Sequence, residues 1–188
     1  MTALPSSPAA DRNKQPILET LQRVLPERGM ALEIASGTGQ HATWFAAGLP
    51  GWQWQPTEAN SAALPTIAAW VRRAGVGNVR PPCLLDVAQP TWPNDDESLA
   101  RDFEQPFDAV FCANLLHIAP WTVCQPMMHG VRRHLAPDGQ LLLYGPFLEG
   151  DVPTAPSNHE FDASLRRQHP AWGIRQREAV ERCALDAG

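Results

Sequence analysis

Five short apolar runs recur along the chain, and a helical segment or a polar loop separates each run from the next. The runs have the length of β-strands, and several are apolar throughout, which is typical of strands buried on both faces of a parallel sheet. Strands that alternate with helices indicate an α/β protein whose sheet is covered on both sides. The predicted strands are residues 30–35, 52–58, 82–87, 107–114 and 140–147.

The 188 residues are enough for one domain with a substantial core. Residues 1–12 are rich in Pro, Ser and Ala, and we expect them to form an N-terminal arm ahead of a single domain over residues 13–188. The helical spacing of apolar residues predicts a first helix from Pro16. Ser157 and Glu160 have the spacing of a capping box and predict the start of a later helix.

The charge pattern and the cysteine spacing disfavour several partner classes. The formal net charge is -5 and the Lys and Arg residues are scattered, which disfavours a nucleic-acid partner because such proteins usually present a basic face. No metal-ligand spacing links the Cys and His residues, so no metal is expected. No apolar run approaches the roughly 18 residues that cross a bilayer, and we expect a cytoplasmic protein with no membrane partner. The oligomeric state stays open.

Polar residues stand at or near the ends of four successive strands. They are the turn Ser36–Gly39 with Glu33 just before it, Glu58, Asp86 and Asn114. Because parallel sheets bind ligands beyond the carboxyl ends of their strands, these residues are expected to share one site. Glycines let a ligand approach backbone N–H groups, an acid after the second strand can accept from a ribose diol, and an acid after the third can take an adenine amino group. The pattern predicts a nucleoside-containing ligand.

Two cofactor classes fit this pattern. Gly37 to Ala42 satisfies G-x-G-x-x-A, and Glu58 follows about 20 positions later, as in NAD(P)-dependent Rossmann oxidoreductases. The second class is the proteins that bind S-adenosylmethionine. Glu33 favours this class, because a buried carboxylate needs a cation nearby. A dinucleotide brings a negative pyrophosphate to this turn, whereas S-adenosylmethionine brings an ammonium and a sulfonium.

The stretch "LEIASGTGQH" resembles the first motif of the class I, Rossmann-like methyltransferases that use S-adenosylmethionine. Further similar segments are "AADRNKQPIL", "LLDV", "ANLLHIAPW", "LYGPF", "SNHEFDASLR" and "WGIR". Together, over Ala9 to Arg175, they resemble one small methyltransferase-like branch of that class, catalogued as a domain of unknown function. The resemblance implies a three-layer α/β sandwich whose central, mainly parallel sheet has the strand order 3-2-1-4-5. It also implies S-adenosylmethionine as cofactor and S-adenosylhomocysteine as product.

The resemblance implies roles for the strand-end residues as well. Glu33 would face the methionine amine, Glu58 would hold the ribose and Asp86 the adenine, with the glycine turn under the ligand. Ala35 is a departure, since many members have a third glycine there. The predicted cofactor-binding residues are Glu33, Ala35, Ser36, Gly37, Thr38, Gly39, Glu58, Asp86, Val87, Asn114 and Leu115.

His117 and Tyr144 are the catalytic candidates. His117 follows the fourth strand, where an imidazole could accept a proton from the acceptor at neutral pH. Tyr144 closes the fifth strand, where it could orient the acceptor. Structural alternatives stay open, because His117 could instead shape its loop and Tyr144 could simply pack. The predicted substrate-binding residues are Arg12, Asn13, Trp121, Asn158 and Phe161.

We therefore expect an S-adenosylmethionine-dependent methyltransferase with a small or medium-sized acceptor that the sequence does not name. Two alternatives stay open. One is an NAD(P)-dependent Rossmann oxidoreductase, and the other is a non-catalytic S-adenosylmethionine-binding module that works through a protein partner. Class I members usually add an antiparallel pair of strands after the last helix. This sequence stops without that pair, and we expect the chain to be trimmed there.

Overall fold

Five parallel strands form the central sheet of the computed structural model, which describes residues 3–93 and 103–188. The spatial order is β3-β2-β1-β4-β5, so the predicted order 3-2-1-4-5 is confirmed. All paired neighbours in this sheet run parallel. The strands are β1 (Gly29–Ile34), β2 (Trp52–Glu58), β3 (Cys83–Leu84), β4 (Phe107–Ala113) and β5 (Leu135–Tyr144).

Helices connect these strands and cover the sheet. They are α1 (Pro8–Val24), α2 (Gln40–Gly48), α3 (Leu64–Ala74), α4 (Cys124–His134), α5 (Pro156–Gln168) and α6 (Arg177–Ala187). Short 3-10 turns are formed by Ser61–Ala63, Leu115–His117 and Trp121–Val123. No helix in the described ranges is both long enough and apolar enough to cross a membrane.

The sheet separates two apolar clusters, because successive residues of a strand point to opposite faces. In β1, Ala31 packs into one cluster and Leu32 into the other. The first cluster includes Phe45, Trp52 and Trp54 and lies against α1 and α2. The second lies against α4 and α6. Burial on both faces explains why the central strands are continuous apolar runs in the sequence.

Helix α1 starts eight residues earlier than the predicted start at Pro16. Ser7 caps it, since its Oγ accepts a hydrogen bond from the Ala10 N–H at 3.3 Å. Pro8 occupies the first turn, where a missing N–H costs little. Pro16 lies inside the helix rather than at its beginning. The helix therefore runs through Arg12, and the division into an arm and a domain at that residue stays a prediction.

Two local predictions in the second half of the chain are wrong. Helix α5 begins at Pro156 and its N-cap, Ala155, makes no side-chain cap, so Ser157 and Glu160 do not form a capping box. Proline presets the backbone angle of the first helical turn, which places Ser157 already inside the helix. The fifth strand runs from Leu135 to Tyr144 rather than over residues 140–147. Residues 147–148 form a separate short strand, β6, paired with residues 175–176, β7.

Candidate functional site

The turn between β1 and α2 is held in a left-handed backbone conformation at three positions. The φ angles are 56° at Ala35, 58° at Gly37 and 86° at Gly39. Glycine adopts such angles without strain, whereas Ala at this angle is disfavoured by roughly 1–2 kcal/mol. Ala35, the position where the resemblance implies a glycine, therefore has the backbone that favours glycine. A Cβ on Gly37 would meet nothing within 4 Å, so the backbone there is open to a ligand.

Glu33 lies at the carboxyl end of β1, directly below this turn, and is 2 % exposed. Its carboxylate accepts a hydrogen bond from the indole N–H of Trp54 at 2.5 Å. Burial raises the pKa of Glu33 to about 8, and the neighbouring Glu58 acts in the same direction. Within residues 3–93 and 103–188, no Lys, Arg or His forms an ion pair with it. Glu33 is thus a buried acid that lacks a cation in the described part of the protein.

Glu58 brings the end of β2 against the same turn. Its Oε2 accepts from the Gly37 N–H and its Oε1 from the Ala59 N–H, both at 2.9 Å. The backbones are also joined, because the Ser36 N–H donates to the Thr57 carbonyl at 2.8 Å. The structure therefore gathers Glu33, Ser36, Gly37 and Glu58 into one place, as the strand-end pattern predicts.

Asp86 follows β3 at the next position along this edge of the sheet. Its carboxylate accepts from the Ala88 N–H at 3.0 Å and from the Gln89 side-chain amide at 3.3 Å. Asp86 is half-buried and the adjacent Val87 is buried. Asp86 therefore lies just after the end of β3 and also stabilises the turn that follows this strand.

The ends of β4 and β5 meet through Asn114 and Tyr144. The Asn114 N–H donates to the Tyr144 carbonyl at 2.8 Å, and Asn114 has a positive φ of 61°. Leu115 is half-buried, and the Tyr144 side chain is exposed rather than packed. Tyr144 is thus accessible at the end of its strand.

His117 lies under its loop instead of opening toward solvent. It is 1 % exposed, and neither ring nitrogen hydrogen-bonds to a described residue. Its ring packs edge-on against Phe147, with centroids 5.0 Å apart. Burial lowers the pKa of His117 to about 4, and the nearby Arg175 guanidinium lowers it further. This environment corrects the expectation of an imidazole that exchanges protons near neutral pH, and a catalytic role for His117 stays a prediction.

The predicted substrate-binding residues lie on separate elements. Asn13, on α1, contacts the imidazole of His41 at 2.7 Å and so joins α1 to the start of α2. Arg12 is exposed on α1, and Trp121 is an exposed ring with the Arg175 guanidinium 5.7 Å from its centroid. Asn158 and Phe161 lie on α5, half-buried and exposed respectively.

Trp54 and Arg175 are the two site residues that the sequence did not predict as such. Trp54 is buried core, as its strand pattern suggests, but its N–H also holds Glu33. Arg175 donates to the carbonyls of Leu116, Ala119 and Ala171 at 2.7–2.8 Å and so fastens the loop around His117. Neither contact has a local sequence signal, because both join segments far apart in the chain. No three His, Cys, Asp or Glu residues in the described ranges cluster closely enough for a metal site.

The sheet order and the glycine turn define the class I, Rossmann-like methyltransferase fold. A family model matches residues 4–188, and the chain belongs to that family, DUF938, whose description is "Protein of unknown function".

Solved structures share the fold at low sequence identity. An O-methyltransferase family protein from Burkholderia thailandensis superposes with a TM-score of 0.75 at 16% identity, covering 96% of this chain and 52% of that one. A putative methyltransferase from Bacillus halodurans gives a TM-score of 0.67 at 19% identity, covering 91% and 68%. CalO1, a methyltransferase in calicheamicin biosynthesis in its SAH-bound form, gives 0.68 at 14% identity, covering 97% and 55%. The chain thus spans about half the length of two of these proteins.

Proposed function

We propose that this protein is an S-adenosylmethionine-dependent methyltransferase that acts on a small or medium-sized acceptor. The observation that carries the proposal is the buried acid Glu33, which lacks a cation in the described structure and lies beside a backbone turn open to a ligand. Ionising a buried carboxyl group without a partner costs several kcal/mol, and for this reason burial raises the pKa of Glu33 to about 8. A ligand that brings an ammonium group to the end of β1 removes that cost, whereas a pyrophosphate would add a like charge.

The remaining strand-end residues fit a nucleoside ligand. Glu58 is half-buried at the end of β2, where its carboxylate can accept from ribose hydroxyls, and Asp86 can accept from an adenine amino group at the end of β3. Gly37 leaves open space for a ligand to approach the backbone of the turn, whereas Gly39 lets the turn pack closely against Ile67. The same proposal assigns the rest of the predicted set, Ala35, Ser36, Thr38, Val87, Asn114 and Leu115, to the walls of this site.

S-adenosylmethionine, when bound, supplies an electrophilic methyl group. The chain's part is then to align the acceptor and, where the acceptor carries a proton, to remove it. His117 is neutral at pH 7, but with a pKa of about 4 it is a weak base. We assign acceptor orientation to Tyr144, and acceptor contacts to Arg12, Asn13, Trp121, Asn158 and Phe161.

Titration calorimetry with S-adenosylhomocysteine and with NAD tests the cofactor assignment. We expect micromolar binding of S-adenosylhomocysteine to the wild type and no heat from NAD. Glu33→Gln prevents ionisation next to the ligand's ammonium group with little change in shape, and we expect at least a tenfold loss of affinity. Glu27→Gln, an exposed acid after α1, is the matched control and should bind like the wild type. Binding of NAD alone would overturn the proposal in favour of an oxidoreductase.

A non-catalytic binding module is the second candidate, and the burial of His117 favours it. The two candidates differ in turnover rather than in binding. Formation of S-adenosylhomocysteine from S-adenosylmethionine, measured with a panel of small amine, thiol, carboxylate and phenol acceptors, supports catalysis. Tight binding of S-adenosylhomocysteine with no turnover across the panel would favour the binding module.

A further inference from the structure

Two cysteines, Cys124 and Cys183, lie on the neighbouring helices α4 and α6. Cys124 is the first residue of α4 and is 1 % exposed, whereas Cys183 on α6 is half-buried. The two helices pack together, and Cys183 packs against the apolar cluster that includes Cys124. Both residues line a groove of about 650 Å³ between the helices. The groove gives a small molecule access to this pair.

The other two cysteines have different surroundings. Cys83 and Cys112 are buried within strands of the central sheet, at the ends of β3 and β4. Cys83 accepts a weak hydrogen bond from the Gln55 amide at 3.5 Å. Neither residue lines the groove between α4 and α6. Among the cysteines that the structure describes, Cys124 and Cys183 are therefore the two that share one accessible groove.

The partly exposed thiol of the pair is the one that can react first. Burial raises the pKa of Cys124 to about 12, with the nearby Arg175 guanidinium acting in the opposite direction. Thiol oxidation follows thiolate character and exposure, so Cys183 is the site of first attack. Cys124 lies beside it and can serve as the resolving thiol.

We propose that Cys124 and Cys183 are a redox-sensitive pair that forms an intramolecular disulfide when the protein meets a peroxide. In the first step the Cys183 sulfur attacks a peroxide oxygen, the O–O bond breaks, and a sulfenic acid and one molecule of water or alcohol form. In the second step the Cys124 sulfur displaces the hydroxyl group of the sulfenic acid as water. The two thiols lose two electrons and two protons, and the peroxide receives them. A thiol reductant reverses the bond.

The crosslink would fasten α6 to α4 and close a loop that contains β5, β6, α5 and β7. Closing a long loop lowers the entropy of the unfolded chain, which stabilises the folded state. In this protein the same segment carries Arg175, which holds the carbonyls of the His117 loop. Oxidation would therefore stiffen the β4–β5 end of the molecule. This inference does not depend on the proposed function.

Peptide mapping after hydrogen peroxide treatment tests the proposal. Trypsin leaves Cys112 and Cys124 in one peptide, because no Lys or Arg stands between Arg101 and Arg132, and it releases a peptide that begins at Cys183. The Cys112→Ala variant makes the assignment unambiguous. We expect the intact mass to fall by two hydrogen atoms and these two peptides to be linked. Dithiothreitol should separate them.

The melting temperature gives an independent readout on the folded protein. We expect oxidation to raise it by about 5–10 °C in the wild type and in Cys112→Ala. It should leave Cys183→Ser unchanged. A Cys183 oxidised to sulfinic acid without a link, a link through Cys112, or dimers joined through Cys183 on non-reducing gels would each overturn the proposal.

Discussion

The carboxyl ends of β1 and β2 differ from those of β4 and β5 in how their polar groups are satisfied. At the first pair, the buried acid Glu33 lacks a cation in the described structure, and the backbone beside it is open. At the second pair, Arg175 binds the loop carbonyls and His117 is sealed beneath them. The first pair therefore leaves a buried acid beside an open backbone, whereas at the second pair the protein's own contacts hold the loop after β4 and leave Tyr144 exposed. This difference supports a cofactor at the first pair in the proposed function and leaves the identity of the acceptor open.

The largest expected effect concerns the pH dependence of stability at the β1 end. The pKa of Glu33 rises from about 4.5 in the unfolded chain to about 8 in the fold. The folded protein thus holds a proton that the unfolded chain releases. The contribution of Glu33 to the free energy of unfolding is complete below pH 4.5, falls as the pH rises, and is gone above pH 8. At about 1.4 kcal/mol per pKa unit, the loss amounts to several kcal/mol.

Urea unfolding of the wild type and of Glu33→Gln between pH 5 and pH 9 measures this effect. The free energy of unfolding of the wild type should fall relative to that of Glu33→Gln as the pH rises. Other titrating groups, including the buried His41 and His117, are common to both proteins and cancel in the difference. Parallel curves would mean that Glu33 titrates as an exposed acid, and the contrast between the two ends would then fail.

The second prediction concerns the hydrogen bonds by which Arg175 holds the loop after β4. Arg175→Ala removes charged hydrogen bonds to the carbonyls of Leu116, Ala119 and Ala171, and we expect it to lower the free energy of unfolding by about 3 kcal/mol. Arg177→Ala is the matched control, because Arg177 pairs with Glu149 and Glu181 on the surface. Its loss should cost less than about 1 kcal/mol. Equal effects of the two variants in urea unfolding would show that the loop does not depend on Arg175.

The smallest expected effect is that of His117→Leu on stability. Neither nitrogen of this buried imidazole hydrogen-bonds to a described residue, so an apolar side chain of similar volume should change the free energy of unfolding by less than about 1 kcal/mol. His41→Leu is the comparison, because it removes the contact with Asn13 and should cost more. With stability preserved, the turnover of His117→Leu reports directly on a catalytic role. A loss above about 2 kcal/mol would instead show that a buried partner holds the imidazole.

The strand-end acids show which features of the candidate site can be predicted from the sequence. Glu33, Glu58 and the glycine turn could be predicted, because a strand, its end and a tight turn are local features and parallel strands end at one edge. The pairing of Trp54 with Glu33 could not, because it depends on the register of β1 against β2. The hydrogen bonds from Arg175 to the carbonyls of Leu116 and Ala119 could not be predicted either, since these residues lie 59 and 56 positions away along the chain.

The beginning of α1 has a signal in the sequence, whereas the burial of His117 has none. Ser7 followed by Pro8 is a local helix-start signal that the sequence does contain, although the second proline, Pro16, obscures it. The burial of His117 has no such signal, because a polar residue after a strand usually faces solvent. Its position beneath the loop depends on Gly145, whose lack of a side chain lets the imidazole approach, and on Gly173, whose N–H binds the His117 carbonyl.

By itself the sequence determined the α/β class, the approximate places of the strands and the position of the glycine turn, because hydrophobic period, glycine and strand length act over a few residues. Only the tertiary structure decided which of the strand-end groups are exposed and which are buried. Exposure sets whether a carboxyl keeps its proton and whether an imidazole can exchange one, and it arises from the packing of segments distant in the chain. That is why Glu33 could be predicted as a site residue from its position, while the properties of His117 depended on the fold.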